Sequence, residues 1–177
     1  MSLLSTPMDA IHSAGSWPAT RQDREALNDP KIVAILERAR ERGRTSSLRF
    51  TGEITPEEAW ELFEAGAAEI VDVRTAEELT FVGRLPKAHN VEWASGISMD
   101  RNPRFLRELE AKVCKDDVVL FLCRSAKRSA MAAEIAARAG FLHAFNILEG
   151  FEGDLDKQRR RGTLGGWRLR GLPWIQD

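Results

Sequence analysis

The sequence predicts an α/β domain, a mostly parallel sheet with helices on both faces. Three observations carry this. Strand-like and helix-like segments alternate through residues 48–148, the pattern of parallel strands joined by crossover helices. The run "DVVLFLC" at 117–123 is nearly unbroken in apolar residues, as a strand covered on both faces must be. Helix caps and glycine stops fall between the segments, at Thr55, Pro56, Gly66, Gly83 and Gly140.

The elements follow in chain order. Residues 1–28 are weakly patterned and are expected to be loose or wrapped on the surface. Asp29 caps an amphipathic helix at about 30–42, with Pro30 in its first turn and Gly43 at its end. Ile32, Ile35, Leu36 and Ala39 share one face of it. Residues 1–47 are read as an N-terminal extension carrying this helix, available for a protein partner, and 48–177 as the main domain. A short strand is expected near Leu48–Ile54. Thr55 and Glu58 then form a capping box for a helix that stops at Gly66. "EIVDV" at 69–73 is a strand, "TAEELTFVG" a helix ending at Gly83, and "AHNVEW" at 88–93 another short strand. Asn102-Pro103 opens a helix whose Phe105, Leu106, Leu109 and Val113 share a face. After "DVVLFLC" comes the small-residue helix "AKRSAMAAEIAARAG", then the strand "FNIL" at 145–148 and an irregular Gly- and Arg-rich tail.

Composition excludes several function classes. With 177 residues, 43% hydrophobic and 30% charged, the chain reads as one globular domain with an extra segment. Its formal net charge of −1 gives no global field for nucleic acid. No apolar run approaches the ~20 residues of a membrane helix. No secretory signal is expected at the N-terminus, and two cysteines, Cys114 and Cys123, suit a reducing cytoplasm. The three histidines are scattered, so neither a metal site nor a cofactor is expected.

The chemistry concentrates in "CRSAKRS" at 123–129. Cys123 stands at the carboxyl end of a buried strand, where open α/β sheets place their sites. The backbone amides of 124–128 and the start of the next helix present positive ends to the sulfur. Arg124, Lys127 and Arg128 add full charges. Each favours thiolate over thiol, and the same cradle suits an anionic substrate. Cys114, near the end of an amphipathic helix, is read as an ordinary buried thiol. Arg74 is read as half of a structural ion pair with Glu77 or Glu78, while Asp72 stays open between such a role and a polar group near the pocket. Four residues separate Cys123 from Arg128. Cysteine-dependent phosphatases and arsenate reductases place five there, so the spacing opposes phosphate chemistry.

Taken together, "CRSAKRS", "VDVRTAEELTFVGRLPKAHNVEW" and "ILEGFEGD" resemble, in order and spacing, the signatures of the rhodaneses, a sulfurtransferase family. The resemblance covers roughly residues 50–152, with a weaker echo in "GWRLRGLPW" at 166–174. It implies a three-layer fold with a five-stranded, mostly parallel sheet. It also implies that Cys123 alternates between thiolate and persulfide, taking sulfur from a small anionic donor such as thiosulfate and passing it to a thiol or cyanide-like acceptor. Arg124, Ser125, Ala126, Lys127, Arg128 and Ser129 would then form the substrate-binding loop. Three positions depart from the family pattern: Ala126 and Lys87 replace glycines, and Arg84 replaces a histidine.

Overall fold

The computed structural model describes residues 25–96 and 98–176. The loose stretch expected at the N-terminus lies outside the described residues up to position 24. The first elements are a 3₁₀ turn at Ala26–Asn28 and helix α1 at Pro30–Thr45. Strands β1 (Gly52–Ile54), β2 (Glu69–Asp72), β3 (His89–Asn90), β6 (Val118–Leu122) and β7 (His143–Ile147) form one parallel sheet in the order β1-β7-β6-β2-β3. Four more helices intervene: α2 (Pro56–Glu64), α3 (Ala76–Val82), α4 (Phe105–Glu110) and α5 (Lys127–Arg138). A two-residue hairpin, β4 (Ala94–Ser95) with β5 (Asp100–Arg101), stands apart from the sheet.

The expected three layers are present. One face of the sheet carries a core built on Ile54, Leu120 and Ile147 against α1, α2 and Trp167. The other carries Val119, Phe121 and Ala144 against α4 and α5. Central strand β6 supplies both cores, and all five of its residues are buried, which is why it reads as an unbroken apolar run rather than an alternating one. The capping box at Thr55 forms as expected, with Glu58 N–H donating to Thr55 Oγ1 and Thr55 N–H to Glu58 Oε2. The hairpin was not foreseen, because strands of two residues carry no periodicity to read.

Gly43 differs from expectation. It does not end α1, which continues to Thr45. A Cβ at Gly43 would lie 2.6 Å from the Thr51 carbonyl oxygen, and one at Gly52 would lie 2.0 Å from that of Ala39. These glycines let the helix backbone rest directly on β1. Ile32, Ile35, Leu36 and Ala39 accordingly join the same core cluster as Ile54 and Leu62, so α1 covers the sheet instead of projecting from it. Ile35 is 1% exposed, and Ile35→Ala should lower stability by about 2–5 kcal/mol. A chain starting at Thr45 should unfold at lower urea than the full chain. Identical urea midpoints for all three proteins would show that the helix contributes nothing to the core.

Candidate active site

β6 ends at Leu122, and Cys123 follows with 1% of its surface exposed. The chain has three residues, Arg124, Ser125 and Ala126, in which to turn from the sheet into α5. Ala126 completes the turn in the left-handed region, with φ 65° and ψ −7°. A side chain there costs roughly 1–2 kcal/mol relative to glycine. The loop is braced from behind by the turn after β7. Phe151 N–H donates to the Cys123 carbonyl at 2.8 Å and Glu152 N–H to that of Arg124 at 3.0 Å. Just before them Gly150, at φ 69°, approaches so closely that a Cβ would sit 2.6 Å from the Cys123 oxygen.

The cations separate into distinct settings. Arg128 turns inward and forms a two-pronged pair with Glu78 of α3, at 2.7 and 2.6 Å. Its charge also lies close enough to Cys123 for the two to interact. Lys127 points outward, its amine 3.7 Å from Asp154 on the surface. Arg124 is exposed at the mouth of a cavity of about 390 Å³ that also borders Thr75, Glu77, Glu78, Gly96, Met99 and Arg128. The mouth thus sets two carboxylates against two guanidiniums, beside the positive end of α5. Ser125 is half-buried, and Ser129 is fully buried with its hydroxyl oxygen 3.2 Å from Cys123 Sγ. Cys114, expected to be buried, is instead exposed in the turn beyond α4, and its thiol is pushed up by desolvation and by Asp117 and Asp116, which makes it a poor nucleophile.

Arg74 is fully buried, and its partner is Asp72, not Glu77 or Glu78. Nε and Nη2 reach the Asp72 carboxylate at 3.0 and 2.6 Å, Nη2 also donates to the Gly83 carbonyl, and the guanidinium lies 4.0 Å over the Phe151 ring. Glu78 is already committed, accepting from Thr75 N–H and from Arg128, and Glu77 is exposed on α3. The described residues contain no cluster of His, Cys, Asp and Glu arranged to hold a metal. None of their helices is long and apolar enough to cross a membrane.

Comparison with known proteins agrees with this architecture. Residues 55–157 match the family model of the Rhodanese-like domain. The chain belongs to that family. The Mycobacterium tuberculosis protein Rv0390 shares 44% identity over 72% of this chain and 99% of its own, with a TM-score of 0.66. A Rhodanese-like domain-containing chloroplastic protein of Arabidopsis thaliana is 31% identical over 80% of this chain and 81% of its own length. An uncharacterized Rickettsia prowazekii protein is 36% identical over 59% and 80%.

Within this rhodanese-like frame the sequence left several residues unread. Glu78, expected only as a possible partner of Arg74, was unread as a cap and as the partner of Arg128, although "TAEE" repeats the Thr-x-x-Glu pattern that revealed the first capping box. Here too Glu78 N–H donates to Thr75 Oγ1. Gly150, Asn146 and Glu53 were also missed, because their roles rest on contacts with distant segments.

Two outcomes follow from this geometry. Burial pushes the Glu78 carboxyl up, but hydrogen bonds from Arg128 and from the Thr75 backbone outweigh it and leave it below the usual carboxylate range. Its folded-state value is depressed, so the pair stabilises the fold above the unfolded value of about 4.3. That contribution is lost as pH falls through the folded value. Glu78→Gln should cost about 1–3 kcal/mol at neutral pH, between the ranges for exposed and buried pairs. The gap between the two proteins should close on acidification in a urea series across pH, and a gap independent of pH would mean that the charge of Glu78 plays no part. Separately, Ala126→Gly should raise stability by about 1 kcal/mol by relieving the left-handed alanine. A loss of stability in the same urea titration would show that the methyl group packs favourably.

Proposed function

We propose that the protein is a sulfurtransferase that carries a sulfane sulfur on Cys123. The observation that supports this best is the position of the sulfur. It lies at the carboxyl end of the central strand, beside the first turn of α5 and close enough to Arg128 for the two to interact. In the first step the thiolate attacks the outer sulfur of a donor such as thiosulfate. A new S–S bond forms, the donor's S–S bond breaks, and sulfite leaves with the electron pair. In the second step an acceptor such as cyanide or a thiolate attacks the outer sulfur of the persulfide, and Cys123 returns as thiolate. This is covalent catalysis by double displacement, with no net oxidation. Membership of the rhodanese-like family supports the reading. Arg124 at the mouth would meet an anionic donor, and the free thiols of both cysteines fit a reducing compartment such as the cytoplasm.

The balanced charge at the mouth bears on donor choice. With Arg128 paired to Glu78 and Lys127 turned outward, Arg124 and the helix end are left to attract thiosulfate. Persulfides and mercaptopyruvate therefore belong in the same assay. The purified protein should transfer sulfur from at least one of these donors to cyanide and should not hydrolyse aryl phosphates. Mass spectrometry should find one added sulfur on Cys123 that cyanide removes. Cys123→Ser should abolish transfer, and Cys114→Ser should leave most of it. Phosphatase turnover dependent on Cys123, or no sulfur loading from any donor, would overturn the reading.

A further inference from the structure

Behind Cys123 two buried polar side chains, Ser129 and Asn146, lead to a half-buried carboxylate, Glu53. Ser129, in the first turn of α5, is 0% exposed, and Asn146 on β7 is 2% exposed. Ser129 Oγ lies 3.2 Å from Cys123 Sγ and 2.7 Å from Asn146 Oδ1. Glu53 sits on β1 in register with Asn146, and Asn146 Nδ2 donates to its Oε1 at 3.5 Å. The Glu53 carboxylate can only accept, so the amide end that faces it must be Nδ2, and Oδ1 must face Ser129.

A hydroxyl carries one proton. When Cys123 is a thiol, that proton is enough: the S–H donates to Ser129 Oγ, and Ser129 donates to Asn146 Oδ1. When Cys123 is a thiolate, the sulfur and Oδ1 both demand the same proton. For Ser129 to serve the sulfur, the Asn146 amide must turn over, giving Nδ2 to Ser129 and Oδ1 to Glu53. A charged Glu53 opposes this, because it would set two acceptors against each other in a buried site.

We propose that Glu53 and Asn146 are positioning residues that hold the Ser129 proton away from Cys123 and so restrain ionisation of its thiol. This rests on Cys123 being the reactive sulfur of the reading above. The restraint would act at the free-enzyme stage, when the sulfur is the attacking thiolate. In the persulfide the charge has moved to the outer sulfur. Other charged groups also act around this sulfur. Arg128 interacts with it and in turn with Glu78 and Asp72, Arg124 and Lys127 flank it in the sequence, and all of them are left unchanged in the comparison that follows.

The test titrates the thiolate of the full chain by its ultraviolet absorbance, with Cys123→Ser as the blank for Cys114. It requires no sulfur transfer, so its failure and failure of the sulfurtransferase reading are separate results. Glu53→Gln, the same shape without the charge, should lower the Cys123 midpoint by about one pH unit, a tenfold change in ionisation. Loss of a negative charge would shift the midpoint in the same direction on its own. The substitution is therefore repeated in a Ser129→Ala background, where the part of the shift that runs through the Ser129 proton should be lost and the shift should shrink accordingly. An equal shift in both backgrounds would show that Glu53 acts through its field alone, and no shift in either would show that it does not act at all. Both results overturn the proposal. Asn146→Leu removes the competing acceptor and should lower the midpoint as Glu53→Gln does, with nothing gained by combining them. If the leucine variant does not fold, the comparison with and without Ser129 still decides.

Discussion

The buried guanidinium of Arg74 ties together the segments that shape the site. An unpaired charge with no exposure would be strongly destabilising, so it has to be matched on the spot. Asp72 does this from two residues away, and the Gly83 carbonyl adds a second acceptor. The pair thereby joins the end of β2 to the end of α3. The same guanidinium lies over Phe151, next to Gly150, whose turn braces the carbonyl of Cys123. Removing Arg74 would loosen α3 on one side and the support of the cysteine loop on the other. Its role is structural, yet the support of the loop that holds Cys123 depends on it.

α3 in turn carries the carboxylate that holds Arg128. Glu78 closes the capping box at Thr75 and receives both prongs of the guanidinium, so helix initiation and the electrostatics of the site share one side chain. The pairing changes the meaning of the basic loop. Arg128 is a positioned, largely neutralised group close to the sulfur, while Arg124 stands at the mouth of the cavity and Lys127 out on the surface. The field on the thiol comes from a few oriented groups rather than from a pool of positive charge. The start of α5 belongs among them, since a helix end acts most strongly within its first turn.

The turn at Ala126 shows what this arrangement requires of the backbone. A strand buried on both faces must become a helix within three residues, and one of them must be left-handed. Alanine adopts that conformation at a cost. Gly150 has no such latitude, because the backbone of the cysteine loop occupies the space its side chain would need. Strain and close approach therefore meet on either side of the same sulfur.

The sequence by itself determined whatever one segment could express. The unbroken apolar run of β6, the Thr55 capping box, the glycine stop at Gly140 and the place of Cys123 at a strand end are local patterns, and each is present in the folded chain. The resemblance of three ordered motifs extended this to the family and its five-stranded sheet. Tertiary structure decided the partners. Gly43 looked like a helix stop because its lack of a side chain is visible in sequence, whereas the β1 backbone lying against it is not. Glu78 and Arg128 are 50 residues apart, and Glu53 and Asn146 are 93 apart. Nothing within either segment indicates which distant side chain will face it. That depends on strand order and register, which are settled when the whole sheet packs and which decide which lone pair each buried proton reaches.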